Sequence, residues 1–339
     1  MTKRAAIELS LPNPLDHPAV RAWRELQPER VEPEKIEILQ ELGKETKKRS
    51  IYRLKGVGPA GAAVIAKQSR RARALVERIV YQEILPYLSI SAPRCYGFLG
   101  EPEGQFCWLF LEDVGEERFS PLNAEHRCLA AQWLARMHTS ATRLAVATRL
   151  PDGGPRHYLE YLRSARDTIG QHLNNPALRA EDLAALAAIM AQLGDLESRW
   201  DWVEECCEGV PATLVHGDFR PRNVYVRTGR EGTILLPIDW ERAGWGVPAA
   251  DLAASRGLAA SPQIDVMAYW LVVRDHWPRL GPRDIGRLVA VGTIFRRLAT
   301  LYWDSLHLAY EGGAEWVMAT MSLYHAQLAD VVRTVFEAV

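Results

Sequence analysis

The chain has 339 residues, of which 48% are apolar and 24% charged, and its formal net charge is -1. This composition is typical of a globular protein large enough for two lobes with substantial cores, and it excludes a disordered or fibrous chain. A net charge so close to zero provides no overall field for nucleic acid or for an anionic membrane, so neither is expected as a partner.

Cysteine usage and hydropathy predict a cytoplasmic protein. The five cysteines are odd in number and scattered, without the paired CxxC spacing of a zinc site. The first residues, "MTKRAAIELSLPNP", contain no apolar core of the length that a signal peptide needs, and no window approaches a membrane span. We therefore expect the chain to stay in a reducing compartment.

The first third of the chain predicts short strands. A short helix is expected to begin in "DHPAVRAWREL", with Asp16 as its N-cap. Apolar runs then predict strands in "KIEILQEL", "SIYRLKG", "AAVIAKQ", "PRCYGFL" and "FCWLFLE". One helix, about 72–85, is inserted after the third of these strands, and Pro86 is expected to end it.

Beyond about residue 115 long helical patterns dominate the sequence. They cover 124–142, 157–173, 181–207, 263–277, 285–310 and 315–336. A single hairpin, 224–226 with 234–238, interrupts the series. We therefore predict an α+β chain with two packed lobes, 1–115 and 116–339, with a helical extension up to about residue 34 and a connection in "EDVGEERFSP".

The turn before this hairpin, "LVHGDFRPRN", carries more polar chemistry than a turn requires. Asp218 and Asn223 lie in the turn, and the hairpin returns Asp239 toward the same end. Carboxylate and amide oxygens suit Mg²⁺, which completes its shell with water and substrate phosphates. A magnesium ion at phosphates implies phosphoryl transfer, which also needs a carboxylate to orient the proton of the attacking hydroxyl. We therefore assign the metal to Asn223 and Asp239 and the catalytic base to Asp218.

The motifs "HGDFRPRN" and "IDWE" together resemble the aminoglycoside phosphotransferase and choline-kinase-like branch of the protein-kinase-like fold. The resemblance implies a small antiparallel-sheet lobe that binds nucleotide and a larger, mostly helical lobe that carries the catalytic loop and the substrate site. It implies Mg²⁺, ATP or GTP as the phosphoryl donor, and a small-molecule hydroxyl as the acceptor.

The same resemblance assigns a lysine to the phosphates. "AAVIAK" supplies Lys67 on the third strand, where the family holds the α- and β-phosphates and pairs the lysine with a Glu of the following helix. Helical periodicity places both Glu77 and Glu83 among apolar neighbours and does not choose between them. "ERIVYQEI" is similar to the family's Glu-x-x-Phe-Tyr-x-x-Leu helix, and this favours Glu77.

The loop expected to cover the phosphates departs from the kinase pattern. "ELGKETKKRSIYRL" has the single Gly43 in place of G-x-G-x-x-G. Its basic residues are Lys44, Lys47, Lys48 and Arg49. Ser50 or the loop amides are predicted to donate hydrogen bonds to the phosphates, with the basic side chains as a further source of positive charge.

Backbone and support roles are also implied by the resemblance. The main chain of Glu112 to Val114 is expected to contact the nucleotide base. His216 is expected to hold the catalytic loop by hydrogen bonds. "WGVPAADLA" is similar to the family's G-x-P-x-x-D-L-A, which gives Asp251 a bond to the loop backbone.

The acceptor is the least constrained part of the prediction. Acidic and basic residues are nearly balanced from residue 251 onward, so a polycationic ligand is not specifically favoured. Trp303 and Asp304 are candidates to present a ring and a carboxylate to a cationic or hydroxylated acceptor. Arg220 and Arg222 either steady the catalytic loop or reach a phosphate or an anionic substrate. An antibiotic, a sugar and an amino alcohol all remain open.

Two other functions compete with a small-molecule kinase. A nucleotide-binding pseudokinase acting as a regulatory scaffold would keep the fold without turnover. A protein kinase would need an Ala-Pro-Glu segment and a long activation loop, and neither follows "IDWE". The sequence therefore favours small-molecule hydroxyls, and it leaves the choice of ATP or GTP and the oligomeric state open.

Overall fold

The chain is an α+β protein with two compact units. The computed structural model describes residues 7–9, 14–27, 32–40, 49–100, 104–144, 149–176, 178–253, 264–308 and 314–337. The first unit comprises Met1–Phe119 and Phe219–Ala243, and the second comprises Ser120–Asp218 and Gly244–Val339. Their contacts thus assign the hairpin segment to the first unit, whereas the functional lobes 1–115 and 116–339 stay a prediction.

Strands build most of the first unit. The strands of the chain are β1 (Ile7–Leu9), β2 (Lys35–Gln40), β3 (Arg49–Lys55), β4 (Val64–Arg70), β5 (Cys95–Gly100), β6 (Phe106–Glu112), β7 (Thr213–Val215), β8 (Val224–Gly229), β9 (Gly232–Pro237) and β10 (Gly244–Gly246). The first six form one sheet in the order β1-β2-β3-β4-β6-β5 with antiparallel neighbours throughout. Five of these strands were predicted, and β1 is too short to show a period in the sequence.

Helix α1 (Pro18–Leu26) packs its apolar side on this sheet. Trp23 is buried and lies 5.2 Å from the ring of Phe110 on β6. The predicted N-cap, Asp16, is wrong by one residue: the Nδ1 atom of His17 accepts the Ala19 N–H at 3.2 Å. The reason is Pro18, whose fixed φ suits the first helical position and therefore sets the start of the helix.

Helix α2 (Arg71–Ile79) follows β4 without a loop. It continues into a π-helical turn, Val80–Ile84, and a 3₁₀ turn, Leu85–Tyr87. The predicted helix 72–85 and its end at Pro86 agree with these bounds. The π-helical turn has no signature in the apolar pattern, which assumes a constant 3.6 residues per turn.

The hairpin of β8 and β9 is hydrogen-bonded to the rest of the first unit. The Phe119 N–H donates to the carbonyl of Val224 at 3.0 Å, and the Ser91 hydroxyl donates to the carbonyl of Leu235 at 2.6 Å. These bonds attach both strands of the hairpin to the rest of the first unit.

Helices build the second unit. They are α3 (Ala124–Ala141), α4 (Pro155–His172), α5 (Ala180–Ser198), α6 (Trp200–Cys207), α7 (Ala249–Leu252), α8 (Val266–Val273), α9 (Pro282–Ser305) and α10 (Ala314–Glu337). The central element is α9, which packs against α4, α6, α7, α8 and α10. The pair β7–β10 adds a short antiparallel ribbon. Within the described ranges, no helix is both long enough and apolar enough to cross a bilayer.

The helix starts follow ordinary capping chemistry. The Asn123 side chain accepts two backbone N–H groups at the start of α3, and the Asp265 side chain does the same for α8. Pro282 occupies the first turn of α9. The predicted helix 181–207 is broken into α5 and α6, because Arg199 has a non-helical backbone (φ -114°, ψ 21°).

The approach of α9 to α7 depends on one glycine. A Cβ atom built on Gly292 would lie 1.7 Å from the carbonyl oxygen of Ala249. Gly292→Ala must therefore push the two helices apart, and we expect it to lower the free energy of unfolding by about 1–3 kcal/mol. Urea unfolding measures this change.

Gly286→Ala is the matched control on the same helix. A Cβ atom there meets nothing within 4 Å, so the higher helix propensity of Ala should stabilise the protein by up to about 1 kcal/mol. Equal effects of the two substitutions would contradict the close approach of α7 and α9.

Candidate active site

Strand β4 carries a buried lysine in the first unit. The side chain of Lys67 has only 6% of its surface exposed. Its Nζ atom lies 2.8 Å from Oε2 of Glu77 and 2.6 Å from Oδ1 of Asp239. An ammonium group shielded from water is stable only with such partners, so the three side chains form one electrostatic unit, the lysine cluster.

The structure places Glu77, and not Glu83, against this lysine. Glu77 is fully buried on α2, and its Oε1 atom accepts the backbone N–H of Trp240 at 3.2 Å. Glu83 forms a partly exposed ion pair with Arg78 at 3.5 Å. The contact with Lys67 is thus made by the residue that the similarity to the family's helix favoured, and periodicity alone did not choose it.

The lysine cluster has more negative than positive charge. Burial raises the pKa of Glu77 to about 7, against the attraction of Lys67, and the charges of Asp239 and Glu241 raise it further. Burial alone would lower the pKa of Lys67, but the charges of Glu77 and Asp239 raise it above its usual value. The lysine is therefore held as a cation and Glu77 titrates near neutrality.

A second ion pair fastens α2 to the segment after Asp239. Nη1 of Arg73 lies 3.1 Å from Oε1 of Glu241. Arg73 precedes Glu77 by one helical turn, so both side chains leave α2 toward the "IDWE" segment. Glu241 lies in the motif "IDWE", but its pair with Arg73 was not predicted, although the one-turn spacing of Arg73 and Glu77 was an available signal.

The two predicted metal ligands both lie at the open end of the hairpin. β8 pairs Val224 with Pro237 of β9, and the Ile238 N–H donates to the carbonyl of Asn223 at 2.8 Å. Asn223 thus lies opposite Ile238, the residue that precedes Asp239. Asp239 has φ of +68°, a left-handed conformation that costs a non-glycine residue on the order of 1–3 kcal/mol and that clusters at functional sites.

In the second unit the predicted catalytic loop is fixed by its backbone. The Asp251 carboxylate accepts the His216 N–H at 2.7 Å through Oδ2 and the Gly217 N–H at 2.9 Å through Oδ1. Nδ1 of His216 in turn accepts the Asp218 N–H at 3.3 Å. Asp218, with 4% of its surface exposed, is therefore the end of a hydrogen-bonded turn that starts at β7.

The predicted base-binding segment lies at the end of β6. The Glu112 N–H donates to the carbonyl of Arg94 at 2.8 Å, and the Glu112 side chain pairs with Arg227 at 2.6 Å. The carbonyl of Asp113 accepts from the same arginine at 3.3 Å, and Val114 is buried. A hydrogen bond to the nucleotide base would therefore use main-chain groups of this segment other than the Glu112 N–H and the Asp113 carbonyl.

The predicted phosphate loop is described only in part. Ser50 is the second residue of β3, opposite Gln68 of β4, and it is buried. Gly43, Lys44, Lys47 and Lys48 lie outside the described residues. The role of Ser50 as a phosphate ligand stays a prediction.

The two arginines of the turn differ in exposure. Arg222 is exposed, and its carbonyl accepts a hydrogen bond from the Arg118 side chain, while Arg220 is half-buried. These contacts leave both of the predicted roles open.

The predicted acceptor residues lie near the end of α9. The Trp303 ring meets Tyr302 and Tyr161 edge-on at 5.0 and 6.3 Å, and these two tyrosines stack at 4.6 Å. Asp304 is buried, with 8% of its surface exposed. Trp303 thus belongs to an aromatic cluster between α4 and α9, and its contact with an acceptor stays a prediction.

The family that the motifs predict can be compared with known proteins. Residues 41–282, well over half of the chain, match the phosphotransferase enzyme family. The chain belongs to this family. The family predicted from "HGDFRPRN" and "IDWE" is thereby confirmed, and with it the assignment of the chain as a phosphotransferase.

Solved structures show that this phosphotransferase has the predicted protein-kinase-like fold. A spectinomycin phosphotransferase in complex with ADP and spectinomycin is 12% identical, with a TM-score of 0.52 over 93% of this chain and 97% of that chain. A GDP complex of an aminoglycoside 2'-phosphotransferase is 14% identical, with a TM-score of 0.60 over 96% and 99%. A choline kinase of Cryptosporidium parvum is 13% identical, with a TM-score of 0.57 over 87% and 89%. No curated protein matches the chain in sequence.

Removing the titrating group tests the electrostatics of the lysine cluster. The pKa of Glu77 is about 7 in the folded phosphotransferase against an ordinary 4.5, so the folded state binds this proton more tightly than the unfolded state does. The resulting stability is complete below about pH 4.5 and is lost as the pH rises through about 7. In Glu77→Gln this loss is absent.

Urea unfolding from about pH 5 to about pH 8 measures the effect. The difference in unfolding free energy between wild type and Glu77→Gln should fall by a few kcal/mol over this range, because one pKa unit corresponds to about 1.4 kcal/mol. Glu83→Gln is the control and should give a curve parallel to wild type. A parallel curve for Glu77→Gln would refute the raised pKa.

Proposed function

We propose that this phosphotransferase transfers the γ-phosphoryl group of ATP or GTP to a hydroxyl of a small molecule with the help of Mg²⁺. The observation that carries the proposal is the lysine cluster next to the Asn223–Asp239 pair, in a chain of the phosphotransferase enzyme family. A fixed cation beside a carboxylate and an amide oxygen is the set of groups that a nucleoside triphosphate with its metal requires.

Lys67 is proposed to bind the nucleotide phosphates. Its charge is maintained by Glu77 and Asp239 in a buried position, so it is present before any ligand arrives. Ser50 and the main chain of Glu112 to Val114 are the proposed further nucleotide contacts. The ADP and GDP complexes of the similar enzymes support either purine as the donor.

Asn223 and Asp239 are proposed to hold the magnesium ion. Both offer hard oxygen atoms at the open end of one hairpin. The left-handed backbone of Asp239 supports the proposal, because such conformations cluster at functional sites. When bound, the ion would neutralise negative charge on the transferring phosphate. Asp239 already binds a cation in this structure, since its Oδ1 atom contacts the ammonium group of Lys67.

Asp218 is proposed to orient the acceptor hydroxyl and accept its proton. The hydroxyl oxygen forms a bond to the γ-phosphorus while the bond from this phosphorus to the β,γ-bridging oxygen breaks, and the nucleoside diphosphate leaves. The hydroxyl proton passes to the Asp218 carboxylate and then to solvent. The fixed backbone from His216 to Asp218 supports this role, because orientation is effective only from a rigid support.

The acceptor is proposed to be an antibiotic, a sugar or an amino alcohol. Trp303, Asp304 and Arg222 are the proposed acceptor contacts, through an aromatic face, a carboxylate and an exposed guanidinium group. The scattered cysteines and the nucleotide donor support a reaction in the cytoplasm.

Screening acceptor pools tests the reaction. The phosphotransferase is incubated with Mg²⁺, ATP or GTP and pools of aminoglycosides, macrolides, sugars and amino alcohols. We expect one class to gain the mass of a single phosphoryl group, and Asp239→Asn to abolish this gain. Tight nucleotide binding without transfer to any pool would refute the proposal and favour a pseudokinase, and transfer to peptides alone would favour a protein kinase.

Asp218→Asn tests the catalytic assignment with the acceptor found in this way. Loss of the proton acceptor should lower kcat by about 10²- to 10⁴-fold, while the Kd of the nucleotide stays within about twofold, because no binding contact is removed. Asp201→Asn, an exposed position on α6, is the matched control and should keep wild-type turnover. Near-normal turnover of Asp218→Asn would refute its role.

A further inference from the structure

The carboxylate that holds the catalytic loop has a third partner. Besides the His216 and Gly217 N–H groups, Oδ2 of Asp251 lies 3.3 Å from Nε2 of His138 on α3. The other ring nitrogen of His138, Nδ1, lies 2.9 Å from the hydroxyl oxygen of Tyr269 on α8. Asp251, His138 and Tyr269 are all completely buried. A continuous chain of hydrogen bonds thus leads from α8 to the catalytic loop.

The direction of these bonds follows from their donors and acceptors. Both oxygens of Asp251 accept backbone N–H groups, so this side chain acts as an acceptor toward His138 as well. The hydrogen of the imidazole is then on Nε2, and the lone pair on Nδ1 accepts the hydroxyl hydrogen of Tyr269. Burial, and then the charge of Asp251, raise the pKa of Tyr269 well above its usual value, so the phenol keeps this hydrogen.

His138 is also tied to the strand that leads into the loop. The Thr213 hydroxyl, at the start of β7, donates to the carbonyl of His138 at 2.7 Å. The backbone of His138 is therefore fixed by β7, and its ring is fixed at one nitrogen by Asp251 and at the other by Tyr269. Without the phenol hydroxyl, the ring keeps its place but loses the contact that sets its rotation and tautomer.

We propose that Tyr269 is a positioning residue for phosphoryl transfer, acting through His138 and Asp251 on the backbone that carries Asp218. The inference rests on the proposed function of Asp218. Tyr269 contacts neither nucleotide nor acceptor in this proposal; it fixes the imidazole that orients the Asp251 carboxylate, and this carboxylate fixes the loop. The effect reaches the reaction only through the orientation of Asp218.

Tyr269→Phe removes the hydroxyl and keeps the ring, which meets the His138 ring edge-on at 5.8 Å. We expect kcat to fall about 5- to 20-fold, as for the loss of one buried hydrogen bond, with KM for nucleotide and acceptor within about twofold of wild type. Tyr324→Phe is the matched control: it changes an equally buried tyrosine of the same unit, on α10, and should keep the wild-type kcat. An unchanged kcat in folded Tyr269→Phe would overturn the proposal.

A double-mutant cycle separates positioning from general packing. In the Asp218→Asn background, Tyr269→Phe should cause no further loss of kcat, because its effect passes through the group already removed. Multiplicative losses would overturn the proposal. His138→Gln is an independent variant, since its amide keeps a donor for Asp251 but cannot relay to Tyr269. The kcat of His138→Gln should fall by a similar factor, and adding Tyr269→Phe should not lower it further. A further loss would contradict the proposal that Tyr269 acts through His138.

Amide hydrogen exchange gives a readout that does not depend on activity. The backbone amides of 216–218 should exchange about tenfold faster in Tyr269→Phe than in Tyr324→Phe, and equal exchange would overturn the link between Tyr269 and the loop. If wild type transfers phosphate and Tyr269→Phe is unchanged, only the positioning role fails. If exchange rises but wild type transfers no phosphate, the proposed function fails while the link from Tyr269 to the loop stands.

Discussion

The structure of the first unit depends on a buried ammonium group shared by two carboxylates. Lys67 comes from β4, Glu77 from α2 and Asp239 from the end of the hairpin, so a single interaction joins three elements that are distant in sequence. Removing one partner would leave an uncompensated charge in a low dielectric, which is strongly unfavourable. The ion pair of Arg73 and Glu241 reinforces the same connection at its edge. The pairing of buried charges thus fixes the position of the groups proposed to bind the nucleotide.

The second unit fixes its loop in a different way. Asp251 uses its carboxylate to hold backbone N–H groups, and His138 and Tyr269 extend this arrangement into the helices α3 and α8. In the lysine cluster, an ammonium group is stabilised by two carboxylates. The charge of Asp251 is instead stabilised by hydrogen-bond donors, and each of these bonds has a preferred direction. The first arrangement suits the binding of phosphates, and the second suits the orientation of one side chain.

Local patterns predicted the elements and the motif residues, but not the contacts that depend on packing. The helical wheel could not separate Glu77 from Glu83, because each has apolar neighbours on its own face and the wheel does not show which face meets Lys67. The structure shows which of these faces meets β4, because Glu77 contacts Lys67 whereas Glu83 pairs with Arg78. His138 and Tyr269 have no sequence signal for each other, since 131 residues separate them and each reads as an ordinary interior residue of its helix. Such pairs are determined by how helices pack, which a single sequence does not display.

The left-handed backbone of Asp239 has a consequence for variation of the sequence. Gly, Asn and Asp are the residues that tolerate this conformation most readily, and of these only Asp carries the negative charge that Lys67 contacts. Glu keeps the charge, but it lacks the short side chain that suits this backbone. Asp is therefore the one residue type that combines a tolerance of the left-handed backbone with a negative charge on a short side chain. Any substitution at position 239 is therefore expected to lose either the backbone conformation or the negative charge that Lys67 contacts.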